Sequence, residues 1–118
     1  MMVLKEPRGC ILWSQPDLVR GPQRNGFDLA ETIVDESHHW RYLLRCRECG
    51  QLYFYEFYEE IDWEGGEDPQ YVTFIPVETD AEIAALKATT PAGLLVFVPR
   101  LQQDWPKGAK SPTVRWIT

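Results

Sequence analysis

Residues 39–58 hold two stretches of bulky residues separated by Cys46-Arg47-Glu48-Cys49-Gly50, and this arrangement limits the fold more than anything else in the chain. Over residues 39–45, Trp40, Tyr42 and Leu44 alternate with His39, Arg41, Leu43 and Arg45. A period of two is what a half-buried strand requires, because successive side chains leave a pleated backbone on opposite sides. Over residues 52–58, Tyr53, Tyr55 and Phe57 share one face, and Leu52, Phe54 and Tyr58 share the other. Strong β-formers on both faces predict a central strand, since an edge strand would leave such residues in water. Two such stretches joined by five residues that include a glycine predict a β-hairpin with the cysteines at its tip.

The flanking sequence supplies further strands and one helix. Residues 1–27 contain Pro7, Gly9, Pro16, Gly21, Pro22 and Gly26 and predict mostly loop, with Cys10-Ile11-Leu12-Trp13 as a short strand or a core-anchoring turn. Residues 27–34 fit a short strand or a helical turn equally well. A third strand is expected over residues 71–77, bounded by Pro69 and Pro76. Thr79-Asp80-Ala81-Glu82 is a capping box, and the helix it opens buries Ile83 and Leu86 before Pro91-Ala92-Gly93 ends it. The apolar run over residues 94–98, between Gly93 and Pro99, predicts a buried strand. Another loop holds Trp105-Pro106-Lys107-Gly108, and residues 113–117 alternate as a closing strand. The expected fold is one α+β domain over residues 1–118, mainly antiparallel sheet, with a central Cys-x-x-Cys hairpin and one short helix in the C-terminal half.

A chain of 118 residues that is 44% hydrophobic can bury a core of its own, and five Trp, five Tyr and five Phe must supply much of it. The net charge of −6 argues against nucleic acid, which calls for a basic face, and against anionic membranes. It suits solubility or a basic protein partner. The longest apolar run has five residues, against about 20 needed to span a bilayer, and residues 1–6 carry no signal-type apolar stretch. Three cysteines, two of them three positions apart, make a disulfide framework a poor reading, so a reducing cytoplasm is expected.

A Cys-x-x-Cys turn lets two thiolates converge on one ion at about 2.3 Å each. Gly50 follows where such a turn needs a left-handed residue, and the turn amides can donate to the sulfurs. Residues 39–58 therefore resemble half of a zinc ribbon, in which a Cys-x-x-Cys-Gly knuckle joins two strands. The resemblance implies structural zinc held by Cys46 and Cys49. The second knuckle of a zinc ribbon is missing, which puts a four-cysteine site out of reach. Cys10 is the remaining cysteine and the natural third ligand, with His39, or its neighbour His38, as the fourth. A seven-residue strand of about 23 Å separates His39 from Cys46, so a histidine ligand requires a bend. Reduced thiols packed in the hairpin and a reversible disulfide stay open as alternatives. A thioredoxin-like site does not fit, because there the pair opens a helix.

Glu56, Glu59, Glu60, Asp62, Glu64, Glu67 and Asp68 fall within thirteen residues that hold no Lys or Arg, with Trp63 in their midst. The run reads as a solvated loop or as a partner surface of Glu59, Glu60, Asp62, Trp63 and Glu64, where an aromatic anchor sits among charges that steer a basic protein. No catalytic motif accompanies His38-His39 or the carboxylates, so no catalytic residue is expected. In size, charge and lack of an active site the chain is similar to the small immunity proteins with which bacteria neutralise toxic enzymes. That likeness implies a zinc-braced module that inhibits a basic partner. The alternatives are a structural or regulatory subunit of a larger assembly, and a small metalloenzyme, which needs an open coordination position.

Overall fold

The computed structural model describes residues 4–19 and 26–118; residues 1–3 and the loop expected over residues 20–25 lie outside the described residues. The fold is α+β. Six strands form one sheet whose spatial order is the sequence order, each antiparallel to the next: β1 (Phe27–Asp35), β2 (His39–Cys46), β3 (Leu52–Glu59), β4 (Gln70–Val77), β5 (Arg100–Trp105) and β6 (Thr113–Ile117). The hairpin is β2 and β3, paired with Leu44 opposite Tyr53, Tyr42 opposite Tyr55 and Trp40 opposite Phe57. The two all-aromatic pairs stack their rings, with centroids 4.4 Å apart for Trp40–Phe57 and 5.9 Å for Tyr42–Tyr55. Aromatic cross-strand pairs stabilise a ladder by roughly 0.2–1 kcal/mol each, so the alternation seen in sequence also fixes the register.

Both faces of the sheet are covered, which is why β3 is apolar on both. On the first face Tyr42, Leu44, Tyr53, Tyr55, Val72, Phe74 and Leu101 form the core. The N-terminal segment covers it through Leu12, in the one-turn helix α1 (Ile11–Ser14), and Val19, in a 3-10 turn (Pro16–Val19). On the second face Leu43, Phe54, Ile75 and Val77 lie beneath Ile83 and Leu86 of α2 (Asp80–Lys87) and Leu94 of α3 (Pro91–Leu94). The capping box forms as expected: the Glu82 amide donates to Thr79 Oγ1 and the Thr79 amide to Glu82 Oε1, both at 3.1 Å.

One expectation is corrected and two open alternatives are resolved. Residues 94–98 are not a strand: Thr90 caps α3, Leu94 is buried, and Leu95, Val96 and Val98 are 48%, 62% and 41% exposed. The strand that follows is β5, and its sequence hides it because Gln102 and Gln103 are buried polar residues. The Cys10-Ile11-Leu12-Trp13 segment is a core-anchoring helical turn and not a strand, whereas residues 27–34 belong to strand β1.

On the second face, beyond the helices, a polar row crosses five strands: Arg41, Glu56, Thr73, Gln102 and Arg115 stand opposite one another in register. Arg41 Nε donates to Glu56 Oε2 at 2.6 Å, and Thr73 Oγ1 donates to Gln102 Oε1 at 3.1 Å. Pairing of this kind offsets the cost of burying such groups.

Candidate metal centre

The three cysteines come from two distant stretches of chain. Cys46 is the last residue of β2 and, two and four positions beyond Leu44 and Tyr42, falls on the first face with them. Cys10 precedes α1 in extended conformation (φ −93°, ψ 139°) and is buried against the same face. Cys49 sits exposed in the turn. Their Sγ atoms all lie within 4.8 Å of one another. In a tetrahedral site with bonds of about 2.3 Å, sulfurs stand about 3.8 Å apart, so small side-chain rotations would bring these three onto one ion.

The hairpin tip is built to present its sulfurs. Gly50 N donates to Cys46 O at 2.8 Å and Cys46 N to Gln51 O at 2.9 Å, closing the turn. Gly50 has φ +80°, a conformation that costs other residues roughly 1–2 kcal/mol. Arg47 anchors the tip to β1: its amide donates to Gly26 O at 2.9 Å and its Nε to Asp28 Oδ1 at 2.8 Å.

Charge is shared unevenly among the thiols. Burial pushes Cys10 up to about 11, so it is a neutral thiol near neutral pH in the metal-free protein. Burial also pushes Cys46 up, but the amides of Cys49 and Glu48, helped by the neighbouring thiols, outweigh it and hold Cys46 below the ordinary thiol value. Beside them Tyr53 is fully buried, and its hydroxyl makes no hydrogen bond of good geometry among the described residues. Burial, then its proximity to Cys10, Cys49 and Cys46, drives the phenol strongly toward its neutral form. The hydroxyl lies against the Cys10 sulfur, a weak acceptor while it is a thiol and a strong one once it is a thiolate.

His39 is not part of this cluster. It starts β2, at the opposite end of the strand from Cys46 and, by parity, on the other face; its Nε2 lies 3.1 Å from Glu56 Oε2. His38 Nδ1 lies 2.9 Å from Glu59 Oε1. The strand runs its full length without the bend that a histidine ligand required.

The acidic loop between β3 and β4 divides into two kinds of residue. Asp62 faces inward: it accepts from the amides of Gly65 (3.0 Å) and Glu67 (3.3 Å) and pairs with Lys107 Nζ at 2.9 Å. The Gly65 amide first, then Lys107, hold its carboxyl down at about 2. Glu59 is likewise engaged, by His38 and by Gln70 Nε2 at 2.8 Å. Glu60 and Glu64 are exposed, and Trp63 is 89% exposed. Sequence reasoning missed Lys107, which lies outside the acidic run, and Tyr53, whose place next to Cys46 follows only once β2 and β3 are paired.

No family model, curated protein or solved structure matches this chain. Its chemistry is therefore read from its own residues: three close cysteines that could hold a metal ion. Among the described residues, no helix is long and apolar enough to cross a membrane.

Proposed function

We propose that the chain is a small protein-binding domain braced by a zinc ion on Cys10, Cys46 and Cys49. The observation that carries this reading is the convergence of three Sγ atoms within 4.8 Å from the N-terminal segment and the hairpin tip. Thiolates are soft donors and select zinc over calcium or magnesium, and an iron–sulfur cluster would call for a fourth cysteine. A brace is what the fold needs there. The N-terminal segment has only a one-turn helix and a 3-10 turn, too short to persist without tertiary ties. An ion joining Cys10 to the hairpin would lock that segment over the first face.

The partner surface would be the loop that Asp62 shapes, with Trp63 as anchor and Glu60 and Glu64 as charges. Trp is favoured at binding hot spots, and acidic neighbours speed docking of a basic protein. Neutralising such a partner, as the resemblance to immunity proteins implies, fits the charge of −6. A second reading, docking as a structural subunit, is favoured by the exposed Leu95, Val96 and Val98, neighbours that an assembly would cover.

Elemental analysis of protein purified without chelators, with thiol titration after denaturation, tests the brace. One zinc per chain with three recoverable thiols is expected; no metal with three free thiols would sink it. Reversing Glu60 and Glu64 to Lys tests the surface, and unchanged affinity and salt dependence toward a captured basic partner would count against it.

A further inference from the structure

We infer that the metal centre is open: three protein thiolates and a fourth position, facing a cleft, that takes a small monodentate donor of imidazole or thiolate type from outside the chain. The inference rests on the proposal that the centre holds zinc.

The residue inventory carries the first step. The whole chain has three cysteines and two histidines. All three cysteines are in the cluster, and both histidines sit at the far end of β2, engaged by Glu56 and Glu59. No carboxylate joins the cluster among the described residues. Structural zinc takes four ligands. The chain's thiols and imidazoles supply three.

The cleft carries the second step. Cys10 and Cys46 are buried and Cys49 is exposed; Cys10 and Cys49 border a cleft of about 580 Å³ together with Lys5, Glu6, Arg8, Gln51 and Glu78. A water occupies about 30 Å³ in the liquid, and small-molecule sites span roughly 300–1,000 Å³, so the opening admits a side-chain-sized donor.

Charge and the inner wall carry the third. Zinc with three thiolates has a net charge of −1. A neutral imidazole adds none, while a thiol releases its proton to solvent and binds as thiolate, raising the charge to −2. Lys5 and Arg8 line the cleft with Glu78 and Glu6, their partners at 3.8 Å and 2.7 Å; these are exposed pairs of small net worth, which an added anion can compete for. On the inner side the buried Tyr53 hydroxyl, which lies against Cys10, would donate to that sulfur once it is a thiolate and draw charge inward.

The test uses the full chain loaded with zinc for X-ray absorption and with cobalt(II) for visible spectra. The ligand-free zinc protein should show three sulfur scatterers and one light atom. Imidazole and 2-mercaptoethanol should each shift the cobalt d–d bands saturably, with the sulfur count rising to four for the thiol alone. Replacing Lys5 and Arg8 by Ala should weaken the thiol several-fold and leave imidazole unchanged; equal losses for both would overturn the cleft as the entry side. Bands that ignore both donors, or four sulfurs in the ligand-free protein, would overturn the open centre. Failure to take up either metal is a separate result, and it removes the zinc proposal itself.

Discussion

Trp116 donates its indole N–H to the main-chain oxygen of Leu12 at 2.7 Å, so the last strand of the sheet grips the helical turn that begins beside Cys10. The Trp13 ring packs on Trp116 with centroids 5.0 Å apart. Together with the cysteine cluster, this contact sets how firmly the N-terminal segment is held.

Trp116→Phe keeps an aromatic ring at that position and removes the donor, leaving the Leu12 carbonyl without its partner. Denaturant unfolding should show a loss of about 1–3 kcal/mol, and zinc affinity should fall because Cys10 is less well placed. Unchanged stability would mean that water replaces the indole freely.

Chelating the metal should loosen the N-terminal segment and spare the sheet. In hydrogen exchange, the amides of Trp13 and Gln15, which close turns onto Cys10 and Ile11, should lose protection. Amides of β3, between two neighbouring strands, should keep theirs. Equal loss in both places would show that the ion supports the whole fold.

Tyr53→Phe should act unequally in the two states. In the metal-free protein it removes a buried hydroxyl whose neighbour is the Cys10 thiol, a weak acceptor, and should change stability by no more than about 1 kcal/mol. In the loaded protein it removes a donor to thiolate and should weaken metal binding roughly 10-fold or more. Paired melting curves with and without zinc read both effects, and identical shifts in the two would refute the hydroxyl's part in ligation.

Asp62 sets a pH dependence for the acidic loop. Its folded carboxyl lies at about 2, below the ordinary 3.8, so the ionised form is the one the loop stabilises. The contribution is fully present above about pH 4 and is lost as pH falls toward 2. The Gly65 amide proton, which points at Asp62 Oδ1, should titrate in that window in NMR spectra. Asp62→Asn should abolish the titration; a midpoint at the ordinary carboxylate value would disprove the depressed pKa.

Trp63→Ala should leave stability within about 0.5 kcal/mol, because a side chain that is 89% exposed makes few contacts to lose. Binding to a basic partner should weaken by about 2 kcal/mol or more if Trp63 is the anchor. A large drop in melting temperature would instead assign the ring a role in the fold.

The strands that alternate apolar and polar residues, β2 and β6, were legible in the sequence, as were the doubly buried β3 and the capped helix α2. Residues 94–98 are apolar without being buried as a strand would be, since three of those side chains face solvent. Strand β5 was hidden for the converse reason: its Gln102 belongs to a polar row that becomes visible only when Thr73 and Arg115 stand beside it. At the site, Cys46 and Cys49 were legible from spacing. The approach of Cys10 was open as a third ligand but depended on how the N-terminal segment crosses the sheet, which no local pattern encodes. His39 shares a strand with Cys46 but not a face, because their positions differ by an odd number along β2. Asp62 and Glu59 looked like surface charges, since their partners Lys107, His38 and Gln70 lie outside the acidic run.

The sheet's nearest-neighbour order governs how the chain reaches its native state. Each strand pairs only with those beside it in sequence, so the meander can grow hairpin by hairpin with short loop closures and little search. The N-terminal segment is different. It meets Cys46 and Trp116 only after β2 and β6 exist, which makes its docking the last and most distant closure. If the three sulfurs hold zinc, the rate of metal capture during refolding would report when Cys10 reaches the hairpin tip.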